Sequence, residues 1–134
     1  MQLPKGTTVA VADGVTLHLY RNGGDEVHPK LTALPPATLG KVNRSSGDHH
    51  YSSSANPNDG QQREDGFAAA TAAWLNEQAL AGKMEHLYII AAPKTLGELR
   101  RHYHKALEAK LLGELAKDLT GHAIGDIETA ISHA

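Results

Sequence analysis

The chain contains no cysteine, which excludes disulfide staples, thiolate metal sites and a cysteine nucleophile and leaves the redox compartment open. It has no basic excess either. Thirteen Lys and Arg stand against fifteen Asp and Glu, a net charge of −2 with nine histidines neutral, so no global positive field gathers nucleic acid and any RNA contact must be local. No apolar run approaches the ~20 residues of a membrane span, so no membrane association is expected. The opening MQLPKGTTVAVADG lacks a basic region followed by an apolar one; no secretory signal is expected, and the expected location is cytoplasmic. Gly-x-Ser-x-Gly and Ser-x-x-Lys motifs are missing, which leaves a serine nucleophile without support. No internal repeat is visible. What is present, 134 residues of which 40% are hydrophobic and 21% charged, fits a single soluble globular domain spanning 1–134.

TTVAVADGVTLHLYRN predicts a β-hairpin, because Val9, Val11, Val15, Leu17 and Leu19 alternate around Asp13-Gly14, a two-residue turn signal. Ala10 and Ala12 make the first strand apolar on both faces, as a central strand should be. KLTAL, from Lys30 to Leu34, is a weaker third strand ended by Pro35-Pro36. The stretch SSGDHHYSSSANPNDGQQ holds only Tyr51 and Ala55 that a core would want, so residues 36–58 are expected to form a flexible polar loop outside the core.

EDGFAAATAAWLNEQAL then predicts a helix with Phe67, Ala70, Thr71, Trp74 and Gln78 on one face and Leu75 and Ala79 beside it. Trp74, the only large ring there, is expected between helix and sheet. Asp59 and Gln62 form a capping-box pair at its start, and Gly82 ends it. HLYIIAAP, from His86 to Pro93, reads as a buried parallel strand. Thr95, with Glu98 as box partner, opens a second helix carrying Leu99, Tyr103, Ala106 and Leu107 inward. LLGELAKDLT is ambiguous: Leu107, Leu111, Leu115 and Leu119 obey a helical spacing, and the last three also a period of two. Ile124, Ile127 and Ile131 mark a C-terminal helix. The order is a mixed α/β pattern, in which right-handed crossovers set the fourth strand beside the first.

Few residues suggest chemistry. Asp13 ends the first strand, where nucleases place a metal-binding carboxylate, but Asp-Gly is also what the turn requires. Asp48-His49-His50 and His102-Tyr103-His104 have the wrong spacing for a closed metal site. No metal and no cofactor are expected. Arg100, Arg101, His104 and Lys105 concentrate positive charge within the second helix, where one face offers several donors to phosphates; with Glu98 and Glu108 nearby, an ordinary solvated face is the plainer alternative.

TLGELRRHYHKAL and AKDLTGHAIGDIETAI, together with TTVAVADGVTLHLYRN and SSSANPNDGQQREDGFAAATAAWLNEQ, resemble the bacterial host attachment proteins, which are grouped with bacterial relatives of the archaeo-eukaryotic peptide-chain release factors. The resemblance spans nearly the whole chain. It implies the middle, peptide-release domain of those factors, a ribonuclease-H-like α/β fold with a mixed five-stranded sheet in the order 3-2-1-4-5, helices packed on it and a long polar loop between strand three and helix one. It also implies that Leu112 to Leu119 form strand five. In release factors that loop carries a Gly-Gly-Gln tip that helps water attack peptidyl-tRNA. Here the corresponding residues are Asn58-Asp59-Gly60-Gln61-Gln62: Gly60-Gln61 matches, and Asp59 replaces the first glycine with a Cβ and a negative charge facing RNA. That Gly60 and Gln61 are merely the first helical residues after a capping Asp59 is the stronger reading of the residues themselves.

The leading functional expectation is a cytoplasmic release-factor-like domain that contacts the ribosome or tRNA. Its RNA-facing residues would be Gly60, Gln61, Arg63, Arg100, Arg101, His104 and Lys105, and Gln61 is its one catalytic candidate. The altered tip, the net charge of −2 and the absence of a codon-reading domain argue against stop-codon-dependent peptide release. A second class is an interaction protein that serves host attachment through a protein partner. A third is a hydrolase or nuclease, for which Asp118 at the end of strand five is the single companion available to Asp13, since Asp126 falls on the last helix.

Overall fold

The computed structural model describes residues 2–25, 27–39 and 59–134, the side chains of Asp59 and Gln61 excepted. Most of the expected 36–58 loop and the Asp59–Gln62 box therefore lie outside the described residues. The elements in chain order are β1 (Thr8–Ala12), β2 (Leu17–Asn22), β3 (Leu31–Ala33), α1 (Asp59–Leu80), β4 (Leu87–Ala91), α2 (Pro93–Arg100), α3 (Lys105–Lys110), β5 (Leu111–Ala116) and α4 (Ile124–Ser132).

The five strands form one mixed sheet in the expected order β3-β2-β1-β4-β5. β1 lies antiparallel to β2, with Ala10 opposite Leu19, and parallel to β4, with Ala10 beside Ile89. The period of two assigns the layers. Ala10, Ala12, Leu87, Ile89 and Ala91 face α1, α2 and α3, where they meet Leu75, Leu96, Leu99 and Leu107. Val9, Val11, Tyr88 and Ile90 face the opposite way, onto Ile127 and Ile131 of α4. Every residue of β1 and β4 is buried, which is why these two strands are apolar on both faces.

Several local expectations are corrected. Asp13-Gly14 does not make a two-residue turn: β1 and β2 are joined by Asp13–Thr16, because the Asp13 carboxylate accepts the amides of Val15 at 2.8 Å and Thr16 at 2.7 Å. Val15, expected in the alternating set, is therefore 68% exposed. The inward stripe of α1 is Ala68, Ala72, Leu75 and Ala79, and Trp74 is only partly buried at its flank. Small side chains allow the helix close to the sheet, so the ring is displaced sideways. α2 begins at Pro93, with Ala92 as a cap residue whose side chain makes no bond, in place of the Thr95–Glu98 box; proline suits the first helical position because its missing N–H would be unpaired there anyway.

The expected single second helix is broken between Arg101 and His104, and α3 follows. β5 runs Leu111–Ala116 rather than Leu112–Leu119, and Leu119 is still buried, in the turn before α4. The end of α1 is as expected: Gly82 has φ +73, its amide donates to Ala79 O, and the Lys83 amide donates to Gln78 O, the paired bonds of a Schellman ending. Leu75→Ala should cost ~2 to 5 kcal/mol and Trp74→Ala less than Leu75→Ala, read from urea unfolding midpoints. The reverse order would show that the ring, not the small-residue stripe, carries the helix–sheet contact.

Candidate functional site

Two groups of polar residues stand out, at opposite ends of α1. The first lies where β1 and β5 end. Asp13 Oδ1 accepts three bonds from its own turn, including the Thr16 hydroxyl at 3.0 Å. Its other oxygen, Oδ2, contacts the Thr120 hydroxyl at 2.9 Å, and that hydroxyl also lies 2.6 Å from Asp118 Oδ1. One hydroxyl carries one proton, so it donates to one carboxylate at a time. Burial pushes the Asp13 carboxyl up, but the Val15 and Thr16 amides and the Thr120 and Thr16 hydroxyls outweigh it and hold the group below the ordinary aspartate range.

The beginning of α1 rests on this end of the sheet: Glu64 Cγ is 2.7 Å from where a Cβ on Gly14 would stand, so a larger residue at 14 would force the Glu64 side chain to move. Gly60 and Gln61 lie in the first turn of α1, and Arg63 follows in the same turn. Asp126 lies on α4 as expected. Among the described residues, no group of three or more His, Cys, Asp or Glu is placed to hold a metal ion.

The second group is the elbow between α2 and α3. The Arg101 amide donates to Glu98 O and the His102 amide to Leu99 O, closing a tight last turn. The break is then held from α1: Asn76 Nδ2 donates to His102 O at 2.8 Å, and the His104 amide donates to Asn76 Oδ1 at 2.9 Å. One side-chain amide thus replaces the donor and the acceptor that the interrupted helix leaves open. His104 caps α3, its Nδ1 accepting from the Ala106 amide at 2.9 Å, which requires that nitrogen to be unprotonated.

Beneath the elbow, Glu114 of β5 accepts from Arg100 Nε and Nη2 through Oε1, at 2.9 and 2.7 Å, and from the Tyr103 hydroxyl through Oε2 at 2.8 Å. Burial, then the bond to Glu114, pushes the Tyr103 phenol far above its ordinary range. Arg101 and His102 share Glu98, at 3.4 and 3.1 Å.

The seven residues singled out as RNA-facing thus fall in two places. Gly60, Gln61 and Arg63 open α1, whereas Arg100, Arg101, His104 and Lys105 lie beside Asn76, about 24 Å further along that helix at 1.5 Å per residue. All four residues of the second set are exposed, but Arg100 is bound to Glu114, His104 is occupied as a cap and Arg101 makes only a long contact to Glu98. Sequence reasoning missed Asn76, Glu114 and Thr120. Nothing local marks Asn76 or Glu114, whose partners are distant in sequence, and the Thr120 contact to Asp13 spans 107 residues although its contact to Asp118 is local.

Asn76→Ala should lower stability by about 1 kcal/mol for each lost bond and accelerate hydrogen exchange at the His104 amide; unchanged protection there would contradict the clamp. For Asp13, the folded-state carboxyl is the stronger acid, so its contribution is present above the unfolded value near ~4 and is lost as pH falls through the folded value. The stability advantage of wild type over Asp13→Ala should hold from pH 7 to 5 and shrink below about pH 4, as measured by urea midpoints; a gap independent of pH would refute this.

Residues 6–131 match the profile of a protein family described as bacterial archaeo-eukaryotic release factor family 12. No curated protein matches the chain.

Proposed function

The chain belongs to bacterial archaeo-eukaryotic release factor family 12, and from that premise we propose that it is a cytoplasmic, release-factor-like domain that binds ribosomal or transfer RNA without catalysing peptide release. The family match over nearly the whole length carries the RNA reading. The local charge supports it, since Arg101 and Lys105 are exposed at the elbow.

The absence of release is argued from the head of α1. Water attack on peptidyl-tRNA in release factors uses a Gly-Gly-Gln tip with free backbone. Here Gly60 and Gln61 have helical backbone, and Asp59 precedes them with a side chain and a negative charge. A carboxylate suits a helix N-terminus and repels a phosphate backbone.

Two other classes keep a specific support. The stretches that resemble host attachment proteins favour a role in attachment, exerted through a protein partner. The approach of Asp13 and Asp118 to one Thr120 hydroxyl favours a hydrolase, although three of the contacts at Asp13 are spent on its own turn.

On purified ribosomes carrying peptidyl-tRNA, the protein should cosediment and release no peptide, and Gln61→Ala should behave as wild type. Robust release that Gln61→Ala abolishes would overturn the proposal. Neither release nor cosedimentation would favour the attachment class, and RNA cleavage lost in Asp13→Asn would favour the hydrolase.

A further inference from the structure

The charge of the chain is unevenly placed. Between Pro93 and Lys110 five cations, Lys94, Arg100, Arg101, Lys105 and Lys110, face two carboxylates, Glu98 and Glu108, a net of +3 in a chain whose total is −2. The remainder therefore carries −5. α2 and α3 both cover the same side of the sheet beside α1, and Glu114 of β5 neutralises Arg100 there. With that one negative charge counted against its +3, the segment keeps a net of +2 on an acidic body, and a local excess of this kind is what an overall acidic protein needs to meet a polyanion.

The structure divides these cations into two kinds. Arg100 spends Nε and Nη2 on Glu114, whose other oxygen holds Tyr103; it fastens the elbow to β5. Lys94 and Arg101 are seven residues apart on α2, hence on one face and separated by about 10 Å along the axis. Both are exposed, as is Lys105 at the start of α3. The Arg101 contact to Glu98 is long, at 3.4 Å, and its guanidinium side is 74% exposed while the carboxylate is 18% exposed; the exposed guanidinium keeps donors that can turn to a phosphate oxygen. Glu98 retains His102 at 3.1 Å.

We infer that the outer face of α2 and the elbow is the phosphodiester-binding surface of this domain, with Lys94, Arg101 and Lys105 as its donors and Arg100 as a positioning residue that never touches RNA. The inference rests on the RNA reading above and deepens it. It extends the donor set to Lys94, removes Arg100 from it, and places the contact at the far end of α1 from Gly60 and Gln61.

The test titrates the full-length protein with fluorescently labelled unfractionated tRNA at increasing KCl. Lys94→Gln, Arg101→Gln and Lys105→Gln should each weaken binding and flatten the slope of log K against log salt by about 1, as for any lost phosphate contact. Arg100→Gln should lower the unfolding midpoint and keep the wild-type slope. Circular dichroism and melting of each variant separate lost contacts from lost fold, and Arg101→Glu gives a second, stronger reading at an exposed donor. Wild-type binding with wild-type slopes in the three Gln variants, or a flattened slope in folded Arg100→Gln, would overturn the assignment and leave the RNA reading standing. No tRNA binding by wild type at low salt would overturn the RNA reading itself, and this surface with it.

Discussion

The elbow hangs on one side-chain amide. Asn76, on the sheet-covering helix α1, takes up the carbonyl of His102 and the amide of His104, the two groups left open by stopping one helix and starting another. An unpaired backbone group at that point would be satisfied most simply by continuing the helix. With both groups paired, the chain turns instead, and His104 caps the six-residue α3 that delivers Leu111 to its place beside Leu87. The register of β5, the reach of Glu114 to Arg100 and Tyr103, and the outward placement of Arg101 and Lys105 all follow from that turn.

The two ends of the molecule differ in their charged groups. Where β1 and β5 terminate, carboxylates predominate: Asp13 fixes its own loop, Asp118 shares the Thr120 hydroxyl, and Glu64 crowds Gly14. Near the elbow, cations predominate, and one of them is sacrificed to hold β5. An RNA backbone is repelled by the first arrangement and attracted by the second. On the RNA reading proposed above, this separation, rather than the total charge, is what would let an acidic chain meet a nucleic acid.

How far the residues alone reveal this differs from element to element. β1 and β4 were legible because alternating Val and Ala, and the run LYIIA, are buried on both sides and have no other use. The sheet order and the strand identity of Leu111–Ala116 were not legible from periodicity, since leucines spaced by four fit a helix as well; the family resemblance decided them. The face of α1 was legible in part: Ala70, Thr71, Leu75 and Ala79 are buried as expected, but the expectation centred the face on Trp74, whereas close approach to a sheet also selects Ala68 and Ala72. Val15 continues an alternation through a turn that Asp13 dominates. The helix break left no local mark because its cause, Asn76, lies 26 residues before His102. Long-range polar contacts of this kind, which place the candidate site, are the part of a fold that spacing does not encode.

The central claim is that RNA meets this domain on α2 and the elbow. Ultraviolet crosslinking of the wild-type protein to tRNA, followed by mass spectrometric mapping of the adducted residues, addresses it without altering the protein. The account predicts adducts within Lys94–Lys105, on a patch that includes His102 and His104. Adducts confined to β2, β3 or α4, on the other side of the sheet or at its far edge, would contradict it.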